Sequence, residues 1–231
     1  MYIPDDFLGT KISLAFYALM IPLWAMAIIR IKEKYKYDSI PIIILGTAFS
    51  FTLLMFDLPF LLEIPGTITC GALLSILLGP WTSLIIISAA LALKGIFIGG
   101  IGITSFAANS FIIAFVTSFG GYYIYSRVMH SETLRTIYPK ALIASISGYF
   151  SSIFSVIAMI LIFKLQLILS ALSDSPDFPI ILRKSMAVIL AEHLLILGII
   201  EGLITGLVLS YLTLNGYLAD LLVKNKKLIS N

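Results

Sequence analysis

Seven apolar runs, each bounded by polar or by Gly- and Pro-rich sequence, dominate this chain of 231 residues. A helix needs about 20 residues to cross the hydrocarbon core of a bilayer, and most of the runs approach or exceed that length. Only 12% of the residues are charged, whereas a soluble domain carries about 25%. We therefore predict an all-α, polytopic membrane protein with seven transmembrane helices in a single transmembrane domain over residues 1–231. The runs cover residues 9–30, 40–57, 66–79, 81–98, 105–126, 140–169 and 185–213.

The Lys and Arg residues predict the orientation of these helices in the cell membrane. If seven helices alternate, ten basic residues fall on one side and three on the other. The positive-inside rule then places the N-terminus outside and the short tail 214–231 in the cytoplasm. The net charge of +3 is therefore interpreted as a signal of topology. The sequence contains no basic groove with interleaved aromatic residues that would indicate nucleic-acid binding. The ten are Arg30, Lys32, Lys34, Lys36, Arg127, Arg135, Lys140, Lys224, Lys226 and Lys227, and the three are Lys11, Arg183 and Lys184.

The stretch 59–109 is the first place to look for a functional site. It contains two apolar runs joined at Gly79-Pro80, with a Pro- and Gly-rich loop before the first run and a cluster of glycines after the second. Irregular backbone at membrane depth is tolerated where protein or a water-filled cavity satisfies its polar groups, so such breaks often mark a substrate site. The single cysteine, Cys70, excludes an intrachain disulfide, and its apolar setting indicates a packed, inert thiol.

Four sequence segments resemble a known transporter family. They are MYIPDDFL at the start, PGT followed by GALLSILLGPW, then GGIGITSFAAN, and EHLLILGIIEGLITGLVLSYL near the end. Their order and spacing look like the substrate-capture subunit of cobalt/nickel energy-coupling-factor (ECF) transporters, the CbiM/NikM family. The resemblance implies an S-component bundle over residues 9–213, with the N-terminal segment 1–8 inserted into it and capping the substrate pocket.

The same resemblance implies where the substrate binds. In the family, the N-terminal amine and the His at position 2 help to chelate a divalent metal. This chain keeps the amine of Met1 but has Tyr2, and a gapless count places the next family His at Thr67. No metal ligand set can therefore be assigned with confidence, and only the Met1 amine still qualifies clearly. The residues that the resemblance assigns to substrate binding are Met1, Tyr2, Thr67, Gly71, Lys94 and Asn109; Gly71 takes the place of a His found in some nickel members, and Lys94 that of a Gln.

These replacements leave two alternatives for the substrate, a metal ion and a small organic or anionic solute. Cobalt and nickel favour imidazole and amine nitrogens over phenol and alcohol oxygens, and an ammonium at Lys94 would repel a cation by a few kcal/mol. One alternative is a Co²⁺ or Ni²⁺ ion held by Met1, backbone groups and a reorganised shell. The other is a small organic or anionic solute, met by Lys94 with Tyr2, Thr67 and Asn109.

The chain is not expected to be an enzyme, because it has two histidines and lacks the familiar catalytic motifs. It has no phosphate-binding loop, so we expect ATP to be used by partner ATPases and no cofactor in this chain beyond a possible bound Co or Ni. The expected partners are the ECF transmembrane coupling protein, those ATPases and membrane lipid, with a small accessory membrane protein as an optional further partner. A non-transporting membrane adaptor is a further alternative.

Other polar residues lie within the predicted spans, where each costs about 2.5 to 3.5 kcal/mol at a helix centre. Lys94 and Lys164 are expected to extend to the outer interface. Glu192 and His193 are expected to pair within the bundle, and Glu201 to be protonated or hydrogen-bonded across helices. Stripes of small residues in the sixth and seventh runs predict close helix packing.

Overall fold

The computed structural model describes residues 2–4, 8–35, 40–58, 66–132, 134, 139–171 and 180–216. This part of the chain is almost entirely helical, with one two-stranded sheet. The elements are α1 (Thr10–Tyr35), α2 (Ile40–Met55), β1 (Asp57–Leu58), β2 (Gly66–Thr67), α3 (Gly71–Leu78), α4 (Pro80–Phe97), α5 (Ile103–Asn109), π1 (Ser110–Val116), α6 (Thr117–His130), α7 (Lys140–Ala171), α8 (Ile180–Glu192), π2 (His193–Leu197) and α9 (Gly198–Leu214).

Five helical stretches of the described chain are long and apolar enough to cross a membrane. A sixth apolar helix, α2, is shorter, at 16 residues. The third predicted span, residues 66–79, differs: it consists of β2 and the eight-residue α3. At 1.5 Å per residue α3 is about 12 Å long, too short to cross the bilayer. The multi-pass membrane fold is confirmed, but the count of seven spanning helices is not.

The breaks predicted around α3 and α4 are present. Gly79 separates the two helices with a φ of 93°, and Pro80 occupies the first turn of α4, where its missing N–H costs nothing. At the other end of α4, Gly99 and Gly100 both have positive φ angles, which glycine adopts without steric cost. The chain therefore reverses direction at both ends of α4.

Small residues bring α7 and α9 into close contact, as the stripes predicted. A Cβ atom on Gly202 would lie 2.7 Å from the Ser145 carbonyl oxygen, and one on Gly148 would lie 2.9 Å from the Glu201 carbonyl oxygen. Neither glycine can carry a side chain without moving backbone. The two helices thus form a tightly packed pair, and Glu201 lies on its contact face.

Two segments of the long helices have π-helical hydrogen bonding. π1 lies between α5 and α6, and π2 lies between α8 and α9. Both continue the helix without a turn, since the residues at their ends keep right-handed helical angles. Short π segments are rare and frequently occur at functional sites.

Candidate functional site

The N-terminal segment enters the helical bundle and is held there through its backbone. The N–H of Ile3 donates to Oδ1 of Asn109 at 2.7 Å, and Nδ2 of Asn109 donates to the carbonyl oxygen of Ile3 at 2.8 Å. Both residues are fully buried. One amide side chain therefore satisfies both backbone groups of Ile3, as a neighbouring β-strand would. Asn109 is the last residue of α5 and directly precedes π1.

Tyr2 lies against a buried ammonium group. Nζ of Lys94 is 4.5 Å from the centre of the Tyr2 ring and donates to the carbonyl oxygen of Leu54 at 2.7 Å. A Cβ atom on Gly100 would lie 2.5 Å from the Tyr2 hydroxyl oxygen, so the absence of a side chain at Gly100 makes room for Tyr2. Lys94 is fully buried, and the expectation that it extends to the outer interface is wrong. A desolvated cation–π contact of this kind contributes about 2 kcal/mol.

Glu201 accepts hydrogen bonds from the irregular chain before α3. Its Oε1 accepts from the N–H of Thr69 at 2.5 Å and from the Thr69 hydroxyl at 2.9 Å, and its Oε2 accepts from the N–H of Cys70 at 3.1 Å. Cys70 has a φ of 51°, which is unfavourable for a residue with a side chain. Glu201 was expected to be protonated or hydrogen-bonded across helices, and its hydrogen bonds run to the non-helical chain between β2 and α3. Its carboxylate fixes the backbone that joins β2 to α3.

A small, largely enclosed polar cavity lies beside this carboxylate. It has room for about one water molecule, with a volume of about 10 Å³. Ile112 and Ile113 of π1 form its apolar wall. Its polar lining comes from the segment before α3, from α7, and from π2 and the first turn of α9. The polar lining residues are Thr67, Thr69, Ser152, Ser155, His193 and Glu201.

The structure brings three of the predicted site residues together and places two others elsewhere in the bundle. Tyr2 and Lys94 contact each other, and Asn109 binds the next residue of the same N-terminal segment. Thr67 is buried in β2 and lines the polar cavity. Gly71 begins α3, where a Cβ atom would meet the Thr117 hydroxyl, so this position serves close packing. The predicted role of Met1 falls outside the described residues.

The sequence did not single out Ile3, and it assigned His193 and Glu201 only bundle-internal roles. A lone aliphatic residue in a polar N-terminus carries no signal for backbone anchoring. His193 and Glu201 were visible as ionisable residues within a span, which by default indicates function. Oε1 of Glu192 has no hydrogen-bond partner among the described residues, and the expected pairing of Glu192 within the bundle stays a prediction.

The described residues hold no cluster of three or more His, Cys, Asp or Glu side chains suited to a metal ion. The cavity offers one imidazole, one carboxylate and four hydroxyl groups. Co²⁺ and Ni²⁺ accept imidazole and carboxylate ligands, so these residues provide a partial ligand set. Any further ligand must come from elsewhere, and the Met1 amine that the sequence suggested remains a prediction.

Taken together, the fold and site define a multi-pass helical membrane protein whose own N-terminal segment is inserted into the bundle. The family model described as the cobalt uptake substrate-specific transmembrane region, CbiM, matches residues 2–215. The chain belongs to this family.

Relatives and a solved structure agree with that assignment. The chain is 28% identical over 221 residues to the "Probable fused nickel transport protein LarMN" of Lactiplantibacillus plantarum, covering 91% of this chain and 64% of the relative. It is 36% identical over 120 residues to the fused nickel transport protein NikMN of Rhodobacter capsulatus, covering 50% of this chain and 33% of the relative. A crystal structure of a truncated transition metal transporter superimposes with a TM-score of 0.83 at 30% identity, covering 93% of this chain and 99% of that one.

The chain thus spans less than two thirds of the length of these two curated relatives. The family and the relatives are transport proteins and not enzymes, which confirms that prediction. Proteins of this family are membrane transport components that work with other transporter subunits.

Proposed function

We propose that this chain is the substrate-binding membrane subunit of an importer for a transition metal ion, cobalt or nickel. The observation that carries the proposal is the N-terminal segment, which Asn109 holds inside the bundle. Family membership and the transition metal transporter with the same fold support this cargo.

The size of the polar cavity favours a metal ion over an organic solute. A volume of about 10 Å³ admits one water molecule or one dehydrated metal ion, whereas sites for organic ligands measure about 300 Å³ or more. The buried carboxylate of Glu201 provides a negative charge beside this space. The comparisons do not favour the alternative of an organic or anionic solute, since the relatives are named as nickel transport proteins.

Lys94 does not fill the role of a substrate ligand in this proposal. Its ammonium donates to Leu54 and contacts the Tyr2 ring, so it stabilises the inserted N-terminal segment. The charge that the sequence suggested for binding an anion is instead used within the protein. This leaves the cavity beside Glu201 as the place for the cargo.

Transport requires partners that this chain does not contain. We propose that it works with an ECF transmembrane coupling protein and cytoplasmic ATPases, since its sequence has no phosphate-binding loop. The basic loops favour an arrangement with the N-terminus outside and the tail in the cytoplasm. Cargo would then enter from the side on which the N-terminal segment lies.

A direct binding assay with the purified full chain tests whether the cargo is Ni²⁺ or Co²⁺. Calorimetry with Ni²⁺ and Co²⁺, and with Mg²⁺ as the control ion, is expected to show saturable binding of Ni²⁺ or Co²⁺ only. Binding of neither ion, in a preparation whose thermal unfolding shows a folded protein, would refute the proposed cargo. Uptake of radioactive Ni²⁺ or Co²⁺ by cells that also express the coupling protein and ATPases then tests the transport role.

A further inference from the structure

His193 has the geometry of a metal-binding imidazole. It is 3% exposed and lines the enclosed polar cavity together with Glu201. Its Nδ1 lies 3.0 Å from the carbonyl oxygen of Ile189, one turn earlier in the helix. A carbonyl can only accept, so Nδ1 carries the proton and, in the neutral ring, Nε2 carries the acceptor lone pair. Metal-binding histidines are commonly oriented by such a bond from the other ring nitrogen to a backbone carbonyl.

The backbone around this imidazole is also unusual. His193 is the first residue of π2, and Ile112 and Ile113 of π1 line the same cavity. Two rare helical segments from different parts of the chain therefore border one small cavity. Since π segments tend to be retained at functional sites, their coincidence points to this cavity and not to either helix alone.

Glu201 complements the imidazole as an oxygen ligand. Its four contacts with Thr69 and Cys70 include no basic side chain. Oε2 accepts one of these bonds, at 3.1 Å, and a carboxylate oxygen has a second lone pair that can bind a cation. A buried carboxylate is stabilised by cations, so its negative charge favours a divalent ion in the adjoining cavity.

We infer that His193 is a cargo ligand: its Nε2 binds the transition metal in the cavity, with Glu201 as the neighbouring oxygen ligand. The inference rests on the proposed function. The hydroxyls of Thr67, Thr69, Ser152 and Ser155 then complete a mixed nitrogen and oxygen environment.

The small number of histidines in the chain allows a metal-bound imidazole to be assigned to one residue. There are two histidines, and the second, His130, is exposed at the end of α6, where its Nδ1 lies 2.6 Å from the Ser126 carbonyl oxygen. His130→Ala is therefore the matched control for His193→Gln. The full chain is purified without a polyhistidine tag and loaded with Ni²⁺ or Co²⁺. X-ray absorption then detects the scattering of a metal-bound imidazole, and calorimetry measures affinity.

We expect imidazole scattering in the unmodified chain and in His130→Ala, and its loss in His193→Gln together with at least a tenfold weaker affinity. Because His130→Ala retains a single histidine, its spectrum identifies the ligand even if His193→Gln fails to fold. Metal binding without imidazole scattering, or scattering that disappears in His130→Ala, would overturn the inference and leave the proposed cargo standing. No metal binding by the unmodified chain would refute the cargo and this inference together.

Discussion

Replacing Asn109 with Ala should release the N-terminal segment from the bundle. The change removes the acceptor of the Ile3 N–H and the donor to the Ile3 carbonyl, bonds of 2.7 and 2.8 Å. Because Ile3 is fully buried, both backbone groups are left without partners until the segment moves out. Each such group costs about 1–3 kcal/mol, so the inserted state should lose about 2–6 kcal/mol.

Amide hydrogen exchange measures this loss directly. Exchange at Ile3 in the unmodified chain requires the segment to open, and 1.4 kcal/mol corresponds to a tenfold change in that equilibrium. Even the lower limit of about 2 kcal/mol therefore predicts exchange about 30 times faster in Asn109→Ala. The measurement is mass spectrometry of the N-terminal peptide, with peptides from α7 and α9 reporting that the bundle remains folded.

The matched control is Asn215→Ala. Asn215 is exposed, and its side chain donates to the carbonyl oxygen of Tyr211 at 2.9 Å. Truncation there removes a hydrogen bond that water can replace, so exchange at Ile3 should not change. If Asn109→Ala exchanges within about threefold of the unmodified chain, the amide of Asn109 does not hold the segment, and the reasoning above fails.

Three further predictions concern positions where the structure leaves little freedom. Gly100→Ala and Gly99→Ala should each lower the free energy of unfolding by about 1–2 kcal/mol, because both glycines have a positive φ. Only Gly100→Ala should also accelerate amide exchange at the N-terminus, since its Cβ meets Tyr2 whereas that of Gly99 meets nothing within 4 Å. Equal amide exchange in the two variants would contradict this. Glu201→Ala should lower the free energy of unfolding by about 1–3 kcal/mol for each backbone N–H left without its acceptor. Glu201→Gln keeps one acceptor oxygen and should recover part of that loss. Identical melting temperatures of the two variants would show that the carboxylate does not hold this backbone. Gly202→Ala should cost about 1–3 kcal/mol because its Cβ would lie 2.7 Å from a carbonyl oxygen of α7, and unchanged melting would show that the two helices separate easily.

The sequence predicted the membrane fold well because hydrophobic length and Pro and Gly breaks are local signals. The turn at Gly79-Pro80 is an example, since both residues have conformational preferences that hold in any context. The position of Lys94 could not be predicted in this way. A lysine near a helix end extends to the interface unless a partner is available, and its partners, Leu54 and Tyr2, are 40 and 92 positions away in the chain.

The distinction between local signals and contacts between distant residues also applies to the candidate functional site. Asn109 was predicted to bind substrate, and what the structure shows is that its amide bonds the backbone of Ile3, a contact with no signature at either position. His193 and Glu201 stood out in the sequence as ionisable residues in a span, but neither the enclosed cavity between them nor the two π segments around it has a sequence pattern that is known to predict it. Tertiary packing decides those features.

The anchored N-terminal segment has a consequence for cargo affinity. Ordering a backbone costs about 1–2 kcal/mol per residue, and where a metal gathers the segment itself, this cost is subtracted from the metal's binding free energy. Here the hydrogen bonds of Asn109 and the burial of Ile3 offset part of that cost through contacts within the protein. Apparent affinity equals intrinsic affinity multiplied by the fraction of protein already competent to bind, so contacts that hold the segment in the bundle raise the apparent affinity. A site with one imidazole, one carboxylate and neutral hydroxyls can therefore retain useful affinity, since its ligands need not also bring the N-terminus into place.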